Sequence, residues 1–532
     1  MDRSQRPMEG VRMTDRQNGM NGAQSLVKTL IAGGVETCFA NPGTSEMHFV
    51  AALDQIPGIR CVLGLQENVV TGMADGYYRI SGKPAATLLH CGPGLANGLG
   101  NLHNARRARS GMVNIVGDQA TWHRPFDAPL TADTEALART SSDWVRTSAA
   151  ASEVGRDGAM AMQIARRHGG GIATLILPSD ASWDGGGQVA QPFPDLAPPP
   201  VDANAVDGAA RILRDHAGST LILLGSRATL ATAQEAAYRV AAATGAEILA
   251  EYVCARMSRG QGRVPIERVP YTLAAAKARL ARFSHIILVG ARPPVGFFGY
   301  PGQPSIHHDP AAVFHILTRP EQDEVAALTA LAEALGAPKA APPAAAPRPD
   351  IATGAPTPEG LARTVAAVMP ENAIISDESI SYGRGFYAET HGAPPHDWLH
   401  LTGGAIGDGL PVGTGAAVAG GGRRVIGLQA DGSAMYSLQS LWTQARERLP
   451  VTTIILSNRK YQILLGEYGG VGAVAGPTAM NMLDLSNPSI DWLHIANGMG
   501  VEAARTETLE GCADLMRQSF AQPGPFLIEL MI

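Results

Sequence analysis

The fold class of this chain follows from residues 423–458, RRVIGLQADGSAMYSLQSLWTQARERLPVTTIILSN. Apolar and β-branched residues dominate both ends of this stretch, whereas its middle repeats apolar residues with helical spacing. Near-continuous apolar runs are typical of strands that are buried on both faces of a parallel sheet. We therefore predict one βαβ unit, in which a helix connects two parallel, neighbouring strands.

Polar residues close both of these strands. Asp431 follows the first strand and Asn458 ends the second, so we expect their side chains at one sheet edge, where ligands gather in such sheets. Carboxylate and amide oxygens suit Mg²⁺, with phosphate oxygens and water in its other positions. Gly432 allows close backbone approach, and the helix that starts near Ser433 offers N–H groups to a phosphate. The alternative is an ordinary strand-end turn, because Asp-Gly-Ser is common in turns.

The same alternation of strands and helices runs through three blocks that two Pro-rich stretches separate. Residues 187–204 and 336–358 favour extended, solvated backbone. Each block has the size of an ordinary domain. We predict a flexible leader over 1–18, α/β domains over 19–186, 205–335 and 359–532, and a Pro/Ala-rich linker over 336–358. The predicted fold class is α/β, with three doubly wound parallel sheets.

Composition and charge exclude several classes of protein. Hydrophobic residues make up 45% and charged residues 17% of the chain, and the net charge is −6, so there is no electrostatic footprint for nucleic acid. No apolar run reaches the length of a bilayer span, and the polar N-terminus lacks the apolar stretch of a signal peptide. The scattered cysteines are typical of reduced thiols. We expect a cytoplasmic protein without nucleic-acid or membrane partners.

The segment from Ala430 to Asn458 resembles the signature of the enzymes that use thiamine diphosphate. That signature is Gly-Asp-Gly, a stretch of this length and Asn-Asn; here Ala430 replaces its first Gly and Ser457 its first Asn. The two positions that bind metal in the family are kept. The resemblance implies that Asp431, Asn458 and the carbonyl oxygen of Lys460 bind Mg²⁺, which in turn holds the diphosphate of thiamine diphosphate.

Two segments upstream resemble other parts of that cofactor site. LTGGAIGDGLP, residues 401–411, is similar to the family's segment beneath the thiazolium ring. There Ile406 would be the aliphatic wedge that bends the cofactor, and the Gly404 carbonyl would accept from its 4′-amino group. Ser381, which follows a predicted strand, would hydrogen-bond a diphosphate oxygen. Taken without the resemblance, Ile406 is an ordinary core residue and Ser381 is a helix cap.

The first block resembles the pyrimidine-binding domain of the same family. GLQENVVTGMADGYYR, residues 64–79, matches the segment whose glutamate, here Glu67, hydrogen-bonds N1′ of the aminopyrimidine. A carboxyl group in that position moves the proton that activates the cofactor. The alternative for Glu67 is a first-turn residue that interacts favourably with the helix dipole.

The substrate side of the site resembles the benzoylformate decarboxylase branch. NPGTSE (residues 41–46) and HCGPG (residues 90–94) contain Thr44 and His90, at places where that branch handles the substrate carboxylate and proton transfers. The alternative for His90 is a structural residue at a strand end. The branch's second catalytic histidine has no evident counterpart, because the corresponding middle-domain segment offers Phe297, which cannot transfer a proton.

The resemblance covers nearly the whole chain after the leader and implies an enzyme that breaks or forms a C–C bond beside a carbonyl. The leading hypothesis is a 2-oxo acid decarboxylase or 2-hydroxy ketone lyase. An acetolactate synthase-type carboligase and a non-catalytic cofactor-binding homologue are the alternatives. FAD could occupy the middle domain, although an empty scaffold is the simpler expectation. The resemblance also implies a homodimer or homotetramer whose sites combine Glu67 of one subunit with Asp431 of another.

Overall fold

Three β-sheets follow one another along the chain, and helices flank each of them. This computed structural model describes residues 19–344 and 346–532, so the leader predicted over residues 1–18 lies outside the described residues. The prediction of three doubly wound α/β sheets is confirmed, with the addition of one antiparallel edge strand. Among the described helices, none combines the length and the apolar character that crossing a membrane requires.

The first sheet contains six parallel strands in the order β2-β1-β3-β4-β6-β5. Its strands are β1 (Thr37–Asn41), β2 (Arg60–Leu63), β3 (Ala85–Leu89), β4 (Met112–Asp118), β5 (Trp144–Thr147) and β6 (Ile172–Pro178). Its helices are α1 (Gly22–Ala32), α2 (Met47–Gln55), α3 (Glu67–Ser81), α4 (Cys91–Ala108), α5 (Thr134–Arg139), α6 (Ala151–Arg166) and α7 (Ser179–Trp183). The central strands β3, β4 and β6 are buried throughout, as expected for a sheet covered on both faces.

The second sheet contains five parallel strands in the order β10-β8-β7-β11-β12. Its strands are β7 (Thr220–Leu224), β8 (Glu247–Ala250), β10 (Glu267–Arg268), β11 (His285–Val289) and β12 (Val313–Thr318). Its helices are α8 (Ala203–His216), α9 (Ala231–Thr244), α10 (Leu273–Leu280) and α11 (Glu324–Ala334). The direction of strand addition reverses between β7 and β11, which is the place where such sheets bind ligands.

The third sheet contains seven strands in the order β17-β18-β16-β15-β13-β14-β9. Its strands are β9 (Met257–Arg259), β13 (Ile374–Glu378), β14 (His396–His400), β15 (Val425–Ala430), β16 (Val451–Ser457), β17 (Glu502–Thr506) and β18 (Phe526–Met531). Its helices are α12 (Pro358–Val368), α13 (Phe386–Glu389), α14 (Gly409–Ala419), α15 (Asp431–Ala434), α16 (Ser440–Arg446), α17 (Gln462–Val471), α18 (Pro477–Met482), α19 (Trp492–Gly498) and α20 (Leu509–Ala521). Strand β9 comes from the middle block and pairs antiparallel with β14, so it ties that block to the third sheet.

Strands β15 and β16 form the predicted βαβ unit. They are parallel neighbours, and Ala430 at the end of β15 pairs with Leu456. The prediction of one continuous crossover helix is wrong, because the connection consists of the short helices α15 and α16. Between them the N–H groups of Tyr436 and Ser437 donate to carbonyls three residues earlier. These bonds span three residues instead of four, so they interrupt the hydrogen-bond pattern of an α-helix.

Helices α3 and α14 join the first and third blocks through close backbone contact. A Cβ atom on Gly76 would overlap the carbonyl oxygen of Val412, and a Cβ atom on Gly415 would overlap that of Met73. Only glycine lets two helix backbones approach so closely. The packing positions two of the predicted site segments, since Glu67 begins α3 and the loop that contains Ile406 leads into α14.

We expect Gly415→Ala to destabilise the protein by about 1–3 kcal/mol, because the new methyl group forces α3 and α14 apart. The matched control is Gly208→Ala in α8, where an added Cβ meets no atom within 4 Å. That control should be neutral or slightly stabilising, since alanine is the better helix former. Thermal unfolding of both variants checks the prediction, and equal melting temperatures would contradict it.

Candidate functional site

The residues predicted to bind metal lie at the tips of β15 and β16. Asp431 is 3% exposed and directly follows β15, and Asn458 directly follows β16. The Asp431 carboxylate accepts hydrogen bonds from the backbone N–H of Gly432 at 2.8 Å and of Arg459 at 2.6 Å. The Asn458 Oδ1 accepts from the N–H of Lys460 at 3.0 Å. The structure thus presents a carboxylate and an amide at neighbouring strand ends.

This arrangement fits a hard divalent cation. Burial raises the pKa of the Asp431 carboxyl, and hydrogen bonds from Arg459 and Gly432 lower it again. Within the described part of the chain, no lysine, arginine or histidine forms an ion pair with Asp431. A buried carboxylate without a countercharge favours a bound cation, and Mg²⁺ prefers oxygen ligands. The Lys460 carbonyl accepts one bond, from the N–H of Gln462 at 3.0 Å, so it retains a free lone pair.

Gly432 and Ser433 contribute to the shape of this strand end. A Cβ on Gly432 would lie 2.6 Å from the ring of Tyr461, so the backbone there must lack a side chain. The Ser433 hydroxyl accepts from Gln429 Nε2 at 2.7 Å and donates to the Ala430 carbonyl at 3.1 Å. These contacts fix the first turn of α15 at the strand tip.

Glu378, which the sequence analysis passed over, shapes the loop predicted to lie beneath the cofactor. Its carboxylate accepts from the N–H groups of Gly407 and Gly409, both at 2.7 Å, and from Gln429 Nε2 at 2.8 Å. Burial raises the pKa of Glu378, and these hydrogen bonds lower it. Its position at the end of β13, in a strand buried at every residue, is the sequence signal that could have identified it.

The loop that Glu378 holds contains Gly404 and Ile406. Gly404 has a φ of +82°, and a Cβ there would lie 2.5 Å from the ring of Phe297. Ile406 is half-buried. The side-chain amide of Asn101, on α4, donates to the carbonyl of Gly407 at 3.2 Å, which connects this loop to the first block. Phe297 therefore packs directly against the backbone of Gly404.

Ser381 lines a cavity of about 760 Å³ between the middle and third blocks, together with Phe297, Tyr300, His307 and Gln462. His307 also lines a second, adjoining cavity that reaches the first block. It is 5% exposed, and burial lowers its pKa. His307 lies ten residues after Phe297, outside the middle-domain segment in which the sequence showed no counterpart of the branch's second histidine.

Glu67 is the first residue of α3 and is 7% exposed. Its Oε2 accepts from Asn97 Nδ2 at 3.1 Å. A Cβ on Gly94 would lie 2.7 Å from Glu67 Oε1 and 3.3 Å from His90 Cβ, so the backbone of this glycine lies between the two residues. Glu67 and His90 therefore both lie next to Gly94.

His90 precedes α4, and its Nδ1 lies 2.8 Å from Oε2 of Glu46, a second residue that the sequence analysis did not select. The Glu46 side chain is 1% exposed, whereas that of His90 is 25% exposed. Gly43 lies flat against the imidazole, where any Cβ would overlap the ring. Thr44 begins the adjoining turn and is exposed. A histidine that a carboxylate orients is suited to proton transfer.

The chain matches two protein families at its two ends. Residues 20–138 match the family described as the N-terminal TPP binding domain of thiamine pyrophosphate enzymes. Residues 386–530 match the family described as their C-terminal TPP binding domain. The chain belongs to the thiamine pyrophosphate enzymes, and its cofactor is thiamine diphosphate, as the sequence predicted.

Relatives from both expected branches align over nearly the whole chain. A Mycobacterium tuberculosis protein, provisionally named acetolactate synthase large subunit IlvX, is 49% identical over 96% of this chain and 99% of its own length. Benzoylformate decarboxylase of Pseudomonas aeruginosa is 30% identical over 93% of this chain and 96% of its own length. The solved structure of the thiamine diphosphate-dependent 4-hydroxybenzoylformate decarboxylase of Rhodococcus jostii RHA1 has a TM-score of 0.84, with 26% identity over 96% of this chain and 99% of that one.

We expect Glu378→Ala to weaken thiamine diphosphate binding about tenfold or more, because it leaves two loop N–H groups and an amide without an acceptor. Calorimetric titration at fixed Mg²⁺ measures the affinity. Glu371→Ala, which removes an exposed carboxylate near the start of the same strand, is the matched control. Equal affinities for the two variants would contradict a loop-shaping role for Glu378.

Proposed function

We propose that the protein is a Mg²⁺-dependent 2-oxo acid decarboxylase or 2-hydroxy ketone lyase. The observation that carries the metal assignment is the buried Asp431 carboxylate, which has backbone donors but no ion-pair partner among the described residues and lies beside Asn458. Asp431, Asn458 and the Lys460 carbonyl would bind Mg²⁺. Ser381 and the N–H groups of the turn at Gly432 and Ser433 would contact the diphosphate.

When bound, thiamine diphosphate supplies an electron sink for breaking or forming a C–C bond next to a carbonyl. The residues of this chain would orient it and move protons. Glu67, held by Asn97, would exchange a proton with N1′ of the aminopyrimidine. The Gly404 carbonyl would accept from its amino group, and Ile406 would support the bend between its two rings.

Three residues support the decarboxylase or lyase activity. His90, oriented by Glu46, is suited to donate or accept a proton beside Glu67. The exposed Thr44 hydroxyl would hydrogen-bond a substrate carboxylate from the adjoining turn. His307 offers a second imidazole on the wall of the 760 Å³ cavity, and burial lowers its pKa.

An acetolactate synthase-type carboligase is the second candidate, and the M. tuberculosis relative at 49% identity favours it. It would use the same cofactor residues. A non-catalytic homologue is less consistent with the structure, because Glu67 and Asp431 are both held by hydrogen bonds in the family's positions, whereas Ala430 and Ser457 depart only at supporting positions.

A cytoplasmic homodimer, itself able to pair into a homotetramer, would complete the site. Large apolar side chains next to the site residues are exposed in one subunit: Met47 by 45%, Leu65 by 42% and Tyr436 by 54%. Met47 follows Glu46, and Leu65 lies two residues before Glu67. Exposed apolar side chains beside polar site residues are typical of surfaces that another subunit covers.

We propose that the middle domain holds no FAD. Its second cavity, about 350 Å³, opens at the ends of β7 and β11, where such sheets bind dinucleotides. The Glu251 carboxylate lies at these strand ends. It packs on Gly225, and it accepts a hydrogen bond from the N–H of Arg292 at 2.6 Å. Burial raises the pKa of Glu251 to about 7. A flavin diphosphate would have to displace this acid.

Product analysis distinguishes the candidates. We expect holoenzyme incubated with a panel of 2-oxo acids and 2-hydroxy ketones, both aromatic and aliphatic, to release the free aldehyde, together with CO₂ from the oxo acids, as detected by NMR. An acetohydroxy acid as the main product would support the carboligase instead, and a holoenzyme inert towards the whole panel would contradict both.

For the active substrate, His90→Ala should lower kcat about 100-fold or more. His48→Ala, at an exposed position on α2, is the control and should keep kcat.

A further inference from the structure

Three side chains with metal-binding chemistry meet between the end of β1 and the start of α4. One ligand atom from each of Glu46, His90 and Cys91 lies within 4.8 Å of the other two. Ser45 Oγ connects them, at 2.6 Å from Glu46 Oε1 and 3.0 Å from Cys91 Sγ. Glu46 and Cys91 are buried, and His90 is partly exposed, so solvent reaches the cluster from the histidine side.

Local backbone geometry brings these residues together. Cys91 has a φ of +54°, a strained conformation for a residue with a Cβ, and it is the first residue of α4. This turn directs the thiol towards Ser45. Gly117 leaves room for the Glu46 carboxylate, because a Cβ on Gly117 would overlap it. Strain of this kind persists only where the surroundings hold it in place.

Two buried carboxylates, Glu46 and Asp118, lie near the Cys91 thiol. The pKa of the Cys91 thiol is raised to about 11, mainly by burial; its hydrogen bond with Ser45 lowers the pKa, and the negative charges of Glu46 and Asp118 contribute to the rise. Asp118 is 1% exposed, and its ion-pair partner Arg124 lies 3.4 Å away with a side chain that is 37% exposed. Negative charge close to a set of ligand atoms favours a bound divalent cation.

We propose that Glu46, His90 and Cys91 form a binding site for a borderline-soft divalent cation such as Zn²⁺. The ligand atoms are a Glu46 carboxylate oxygen, Nδ1 of His90 and Sγ of Cys91, which is a donor set typical of zinc. On binding, the S–H bond of Cys91 breaks, an S–metal bond forms, and the proton passes to solvent. Three protein ligands leave a fourth position for water. This site is separate from the oxygen site at Asp431, which suits Mg²⁺.

Occupation of the site would inhibit the enzyme, because the metal would bind both the imidazole of His90 and the Glu46 carboxylate that orients it. This consequence rests on the function proposed above for His90, whereas metal binding itself does not. The two parts can therefore be tested separately.

Absorption spectroscopy with Co²⁺ tests the binding. We expect holoenzyme saturated with thiamine diphosphate and Mg²⁺ to develop a thiolate-to-cobalt charge-transfer band in the near ultraviolet. Co²⁺ in an all-oxygen site gives no such band, so exchange with Mg²⁺ does not interfere. Cys91→Ser should lose the band, and Cys61→Ser, which removes an exposed thiol, should keep it. Excess Zn²⁺ should abolish the band in the wild type.

A wild-type holoenzyme without the band would overturn the proposal, as would a band that survives in Cys91→Ser. Circular dichroism of each variant verifies that it is folded, and the wild-type result stands even if Cys91→Ser does not fold. Zn²⁺ should inhibit turnover reversibly, and Cys91→Ser should require about tenfold or more Zn²⁺ for the same inhibition. Cobalt binding without inhibition would support the metal site and contradict the catalytic role of His90.

Discussion

The site depends on one electrostatic constraint, which is a buried carboxylate without a countercharge at the end of a parallel strand. Asp431 follows β15 and Asn458 follows the neighbouring β16, so the topology of the sheet places both residues at the same sheet edge. Burying a carboxylate is costly unless a cation compensates it. The proposed diphosphate site therefore lies where the fold leaves a charge to be neutralised.

A second buried acid couples this strand end to the rest of the pocket. Glu378 holds the loop with Gly407 and Gly409, and it shares Gln429 with Ser433 of the metal-side turn. The loop then continues into α14, which packs on α3 through glycine contacts. Because Glu67 begins α3, the same packing that stabilises the two blocks sets the position of the predicted proton-transfer residue.

The sequence predicted the sheets and the strand-end residues because these follow from local patterns. Continuous apolar runs identified β15 and β16, and the residue that ends each strand is part of the same pattern. Glu46, Glu378 and His307 were missed because their roles depend on partners far away in the chain or on the wall of a cavity, which no local pattern encodes. The break in the crossover helix was missed for a similar reason, since apolar spacing does not distinguish two short helices from one long helix.

A crystal structure of the protein grown with thiamine diphosphate and Mg²⁺ tests the central claim most directly. The account predicts an octahedral Mg²⁺ bound by the Asp431 carboxylate, the Asn458 amide oxygen, the Lys460 carbonyl and the diphosphate. It also predicts the Glu67 carboxylate of a second subunit at N1′ of the aminopyrimidine. A cofactor bound elsewhere, or a diphosphate whose metal does not contact Asp431, would contradict it.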